Sequence, residues 1–274
     1  MTDHASPRAN TVRWALLALL VASTVLPPAG VNPVLAFVVG ELPVVIALWH
    51  FIAWAGWRMA WTGFAVIYVV AYAFEFVGTH TGLVFGEYFY SPTAIGPLVA
   101  EVPILLPLGY FAMAYGALIV TRLILGNLNA KLSAIGVIIT AFTSALVMTF
   151  LDLASDPIAA TLFKKWTWVD GGSYFGVPVH NYIGWVVTTF TFFVIVTMLL
   201  NRDRTLHRCE SPQPRNFYAQ PIVLYASFGL AVVLNPILGR TGEIYDAMAM
   251  VAGLVITVPV IVASVSLTRL SVRP

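Results

Sequence analysis

Long apolar runs, separated by short breaks that contain Pro, Gly or charged residues, make up most of the sequence. A helix that crosses a bilayer needs about 20 mostly apolar residues. Eight runs reach that length, near 10–27, 33–56, 60–79, 101–125, 132–155, 180–200, 220–238 and 246–268. The pattern predicts an all-α polytopic membrane protein, with one integral membrane domain over residues 1–274 built as a bundle of about eight transmembrane helices.

The composition excludes several classes of function. Hydrophobic residues make up 59% of the chain and charged residues only 9%, whereas soluble domains carry about 25% charged residues. The net charge of +2 and the lack of a long basic run exclude nucleic acid as a partner. A single cysteine, Cys209, cannot form a disulfide framework or a thiolate metal site within the chain.

The distribution of Lys and Arg predicts the orientation of the bundle. One set of alternate connections carries 11 of these residues and the other carries three. Because positively charged loops stay in the cytoplasm, we expect both termini there, in a multi-pass protein of the cell membrane. Residues 201–219 are predicted to form a solvated cytoplasmic linker that contacts anionic lipid headgroups.

Acidic residues show the opposite bias, since nine of the twelve fall in the outer half of the protein or its outer loops. Glu41, Glu75 and Asp152 lie within apolar runs. An ionisable group at that depth is costly enough that a functional role is the default expectation.

Asp152 and Asp156 form the most informative pair of acids. Their i, i+4 spacing places them on one helix face, and Pro157 is expected to close that helix. Two close carboxyls resist simultaneous ionisation, so one keeps a proton while the other is charged, as a paired general acid and general base requires. The alternative is structural, with Asp156 capping a loop and Asp152 bonding a neighbouring helix.

The Asp-x-x-x-Asp spacing also suits a magnesium-diphosphate site of the kind found in membrane prenyltransferases. Such a site needs a second acidic motif and several cations. Glu101 with its following Val-Pro is a poor second motif, and Lys164 and Lys165 are too few. The five histidines are scattered without metal-ligand spacing, so no metal site is predicted.

Two segments of the sequence carry a recognisable pattern. The first is FEFVGTHTGLVFGEYFY at 74–90, followed by Gly-Pro at 96–97 and Val-Pro at 102–103. The second is DLASDP at 152–157, followed by WTW at 166–168, Gly-Gly at 171–172, YFGVP at 174–178 and NYIGW at 181–185. Over roughly 60–200 the chain resembles the CruF-type carotenoid hydratases, the membrane carotenoid-biosynthesis family typified by bisanhydrobacterioruberin hydratase.

The resemblance implies a hydro-lyase that needs no cofactor and adds water to the terminal isopropylidene double bond of an acyclic carotenoid. The C50 precursor bisanhydrobacterioruberin is the favoured substrate and a C40 carotenoid the alternative. Other membrane enzymes of carotenoid biosynthesis are conceivable partners beside the lipid bilayer. Three alternatives stay open: a carotenoid cyclase, a prenyltransferase, and a non-catalytic carotenoid carrier.

The chemistry of alkene hydration assigns expected roles to residues. A carboxyl of the Asp152 and Asp156 pair, or Glu75, is expected to protonate the double bond, and the ionised partner to take a proton from water. Asn181 is expected to orient that water. The tertiary carbocation needs aromatic faces around it, expected from Tyr88, Tyr90, Trp166, Trp168 and Tyr174. Trp and Tyr also gather at membrane interfaces for reasons unrelated to catalysis.

Overall fold

The computed structural model describes residues 6–25, 38–92, 96–203 and 213–270. Its helices are α1 (Pro7–Val25), α2 (Leu42–Ala55), α3 (Trp57–Thr81), α4 (Leu106–Ile124), α5 (Ala134–Asp156), α6 (Val179–Arg202), α7 (Arg215–Val233), α8 (Glu243–Val255) and α9 (Thr257–Arg269). The strands are β1 (Tyr88–Tyr90), β2 (Leu98–Val99), β3 (Val102–Pro103) and β4 (Trp166–Trp168).

The predicted all-α membrane bundle is confirmed. Within the described ranges, seven helical spans are long and apolar enough to cross a membrane, and α8 and α9 together form the last of them. The outward faces of these spans are apolar, with Ile135, Met250 and Leu254 each at least 69% exposed. Such large exposed apolar side chains suit a lipid surface rather than water.

The boundaries of several helices differ from the predicted ones. Residues 98–103 form the β2–β3 hairpin, so α4 begins at Leu106 rather than near 101. Pro157 does not end the fifth span, which continues as one π-helical turn, Pro157–Leu162. Proline removes a backbone donor and disturbs the regular hydrogen-bond ladder, and the chain accommodates it by widening the turn.

The segment between the sixth and seventh helices is shorter than the predicted linker at 201–219. Helix α6 extends to Arg202 and α7 begins at Arg215. Residues 204–212 of that segment lie outside the described residues, as does Cys209.

Helix α4 is the centre of the bundle. More of its span is buried than of any other described span, and it packs against α3, α5, α7 and α9. Close approach depends on small residues in part, since a Cβ on Gly116 would lie 3.2 Å from the Cβ of Tyr225. Helices α5 and α6 pack against each other most extensively. This arrangement brings the C-terminal ends of α3 and α5 and the N-terminal end of α6 together around the start of α4.

A short antiparallel ribbon, not predicted from the sequence, covers this end of the bundle. Strands β1 and β4 pair with Tyr88 opposite Trp168 and Tyr90 opposite Trp166. Alternate residues of a strand point to the same face, so these four aromatic side chains lie on one side of the ribbon. That side faces the helices, because Tyr88, Tyr90 and Trp168 are buried whereas Phe89 is 57% exposed.

Candidate active site

Glu75, near the end of α3, is surrounded by three tyrosine hydroxyls. Tyr88 and Tyr90 of the ribbon donate to Oε2 at 2.5 and 2.6 Å, and Tyr110 of α4 donates to Oε1 at 2.6 Å. Burial, with a smaller contribution from the Glu75 charge, raises the pKa of both Tyr88 and Tyr90. These phenols therefore keep their protons and remain hydrogen-bond donors to the carboxyl group.

Asp152 and Asp156 lie on the last turn of α5 and are joined by Asn181 from the first turn of α6. The Nδ2 group of Asn181 donates to Oδ2 of Asp152 at 3.1 Å and to Oδ2 of Asp156 at 2.6 Å. Trp166 of β4 donates to Oδ1 of Asp156 at 2.8 Å. The i, i+4 spacing therefore does place the two carboxyls together, and an amide positions both.

Aromatic rings form the walls between these two carboxyl clusters. Tyr110 stacks on Trp185 of α6, with ring centroids 4.6 Å apart and planes 9° from parallel. Across the ribbon, Tyr88 lies 4.9 Å from Trp168 and Tyr90 lies 6.0 Å from Trp166, centroid to centroid. Aromatic pairs in such stacked, tilted and edge-on arrangements attract each other beyond simple burial, so the walls are built from aromatic side chains in mutual contact.

A cavity opens between the three carboxyl groups. Its volume of about 40 Å³ is enough for a few water molecules. Its lining consists of two Asp, one Glu, one Asn and eight apolar or aromatic side chains: Glu75, Phe85, Tyr88, Tyr90, Leu106, Tyr110, Asp152, Asp156, Trp166, Trp168, Asn181 and Trp185. No Lys, Arg or His side chain is among these described residues.

Most of the residues that the sequence singles out meet at this cavity. All three predicted carboxyls line it, with Asn181 and four of the five predicted aromatic residues. Tyr174 does not line it and instead donates its hydroxyl to the carbonyl of Leu153 at 3.2 Å, behind the cavity wall. Glu41 precedes α2 and is also absent from the lining.

Sequence reasoning did not assign Tyr110, Trp185 or Phe85 to the site. Trp185 carried a usable signal, because it lies four residues after Asn181 and therefore on the same helix face. Tyr110 is one aromatic residue inside an apolar run and carried none. Phe85 reaches the cavity because its ring packs against Gly78 of α3 and Gly184 of α6, where a Cβ would lie 2.8 and 2.7 Å from ring atoms.

The donors around the three carboxyls suit proton transfer better than metal binding. Phenol, indole and amide groups donate to both oxygens of Glu75 and Asp156 and to Oδ2 of Asp152, and so compete with a divalent cation for these oxygens. In the part of the chain that the structure describes, no three His, Cys, Asp or Glu side chains are grouped to hold a metal ion. The arrangement offers paired carboxyls, an oriented amide and aromatic faces in a confined space.

Comparison with known proteins adds independent information. The family described as "Carotenoid biosynthesis protein" matches residues 31–259. A bisanhydrobacterioruberin hydratase from Haloarcula japonica is 30% identical over 179 residues, which cover 64% of this chain and 57% of that protein. No solved structure gives a significant match. Because the family match extends over most of the chain, this multi-pass membrane protein belongs to the carotenoid biosynthesis protein family.

Proposed function

We propose that the protein is a carotenoid hydratase that adds water to the terminal isopropylidene double bond of an acyclic carotenoid, without a cofactor. One observation carries the proposal: two carboxyls bridged by one amide face a small aromatic cavity. The similarity to a bisanhydrobacterioruberin hydratase supports the same reaction, although the aligned part is little more than half of that relative. By analogy with it, the C50 compound bisanhydrobacterioruberin is the proposed substrate.

The reaction proceeds in two proton transfers. The carboxylic acid of the Asp pair gives its proton to the CH carbon of the terminal double bond, which leaves a positive charge on the tertiary carbon. Water adds to that carbon, and its surplus proton passes to the ionised carboxylate of the pair. The pair ends with one proton, as it began, and the net change is the addition of one water molecule.

The hydrogen bonds divide these duties between the two residues. Asp156 accepts hydrogen bonds from both Asn181 and Trp166, whereas Asp152 accepts one from Asn181. Hydrogen-bond donors stabilise the charged form of a carboxyl. Asp156 is therefore assigned as the base and Asp152 as the acid.

A further buried donor supports water addition over cyclisation, which needs the same acid but no water. The indole Nε1 of Trp168 has no hydrogen-bond partner and lies in the cavity wall. A buried unpaired donor is costly, and a water molecule or a product hydroxyl would satisfy it. Prenyl transfer is disfavoured, because no cation among the lining residues would neutralise a diphosphate.

Expression in cells that accumulate bisanhydrobacterioruberin is expected to yield mono- and then dihydroxylated carotenoid. The measurement is the mass of the extracted pigment: hydration adds one water per end, cyclisation adds nothing, and prenyl transfer adds an isoprenoid unit. A carrier would leave the pigment unchanged. Unaltered pigment in cells with confirmed membrane expression would contradict the proposed function.

We propose that the cavity faces the outer side of the membrane, because the excess of positive residues on alternate loops predicts that orientation. Truncated reporter fusions after Arg58 and Leu128 are expected to report a cytoplasmic location, and a fusion after Gly171 an external one. The reversed pattern would place the Asp pair at the cytoplasmic face.

A further inference from the structure

We propose that Glu75 is the ionised counter-charge for the carbocation formed in the proposed reaction, and that three tyrosine hydroxyls stabilise it in that state. The inference rests on the proposed function and assigns Glu75 a part different from that of the Asp pair. It also replaces the expectation that Glu75 is an alternative proton donor.

The three hydrogen bonds around Glu75 favour its ionised form. Each of the three phenols has one O–H group, and Glu75 is the acceptor for all three. If Glu75 carried a proton, it would donate to one phenol oxygen, and that phenol would lose Glu75 as its acceptor. Hydrogen bonds to a charged acceptor are stronger than those to a neutral one, and Tyr88, Tyr90 and Tyr110 are at most 8% exposed. The arrangement in which all three phenols donate therefore favours the carboxylate.

The same hydrogen bonds make Glu75 a poor base. A carboxylate has about four acceptor positions, and the phenols occupy three of them. The group therefore keeps its charge but has little capacity to take up a proton from water or from the substrate. Proton transfer is left to Asp152, which accepts one hydrogen bond, and to Asp156, which accepts two.

Among the described residues that line the cavity, no cationic side chain neutralises this charge. No Lys, Arg or His side chain lines the described cavity, and Glu75 is 4% exposed. A buried carboxylate without a cationic partner costs folding free energy, and a purely structural role would not require that cost. A transient positive charge on the substrate would supply the missing partner at the stage where the reaction needs stabilisation.

The surrounding rings suit the same ion. Tyr110 and Trp185 on one wall, and Tyr88 with Trp168 on the other, present aromatic groups to the space beside Glu75. A cation is attracted to aromatic faces, and more strongly when water is excluded. The carboxylate of Glu75 and the aromatic rings together form a subsite for a tertiary carbocation, whose other groups are apolar.

A stable mimic of the carbocation tests this subsite without turnover. The probe is an acyclic polyene that ends in a dimethylammonium group, and the reference ligand is the same polyene ending in an isopropyl group. Binding to purified protein in nanodiscs is followed by quenching of tryptophan fluorescence. We expect Glu75→Gln to reduce the ratio of ammonium to isopropyl affinity at least tenfold, and to lower turnover on the order of 100-fold, as for loss of a unit charge about 5 Å away.

Glu101→Gln is the matched control, because it removes the same charge from a side chain that is 70% exposed and outside the cavity. It should leave the affinity ratio unchanged. Glu75→Asp keeps the charge and should keep most of the ratio, which guards against a Gln variant that does not fold. If Gln and Asp lower both affinities alike, Glu75 is only a structural clamp and the inference is overturned. The affinity ratio is measured by binding alone. A protein that fails to hydrate carotenoid can therefore still confirm or contradict the role of Glu75.

Discussion

Replacement of Asp152 or Asp156 with Asn is expected to lower the rate of carotenoid hydration at least about 100-fold, the usual size of a general acid or base contribution. Asn has nearly the same shape as Asp and retains an oxygen that can accept from Asn181 or Trp166. It cannot deliver or take up the proton that the reaction moves. Hydrated pigment, normalised to immunoblotted protein, is the measurement.

Asp170→Asn is the control for this pair, because Asp170 is exposed in the loop after β4 and does not line the cavity. It should retain wild-type turnover. A structural role for the pair makes a different prediction: Asn removes the cost of a buried charge, so at least one variant would be active and as stable as wild type or more so. Near-wild-type activity in both variants would remove the pair from the mechanism.

Comparison with Glu75→Gln separates the two roles. If Glu75 were the proton donor, its substitution would be the most damaging of the three, and Asp152→Asn would be mild. The counter-charge assignment predicts that the Asp variants lose proton transfer but still favour the ammonium-ended polyene over its isopropyl analogue. Turnover and affinity ratio together therefore distinguish a group that moves protons from one that stabilises charge.

The bundle was predictable because the physical constraint on a membrane span is strong and local. Every backbone group in the bilayer must be hydrogen-bonded within its own helix, so run length identified seven spans, although the predicted first span at 10–27 is not among the described spans that are apolar enough to cross a membrane. The Asp152 and Asp156 pair was predictable for the same reason, since helix geometry fixes the relation of residues four apart. No comparable local rule relates Glu75 to that pair, which it meets only through the packing of α3, α5 and α6.

The ribbon was not predicted because its aromatic residues have the pattern expected of a membrane interface. Strands β1 and β4 have three residues each, too few to show a period of two, and their Tyr and Trp residues are typical of a membrane interface. Tyr110 was missed because burial within an apolar run looks the same for a core residue and for a site residue. In both cases the role of a residue depends on which distant residue it contacts in the fold, and the local sequence does not show that contact.

Gly184→Ala is expected to destabilise the protein by at least about 2 kcal/mol, in the range found for overpacked cores. A Cβ at this position of α6 would lie 2.1 Å from the carbonyl oxygen of Val84 and 2.7 Å from the ring of Phe85. Real side chains do not tolerate the first distance, so the loop that places Phe85 in the cavity wall must shift. The measurement is the thermal unfolding midpoint in detergent, together with hydration activity.

Gly253→Ala in α8 is the matched control, because a Cβ there has no atom within 4 Å. Alanine favours a helix over glycine by up to about 1 kcal/mol, so this variant should be as stable as wild type or more so. Addition of Phe85→Ala to Gly184→Ala removes the ring contact but not the contact with the Val84 carbonyl, and should restore little stability. Full rescue by that second change would show that the ring, rather than the backbone, determines how closely α6 approaches the loop.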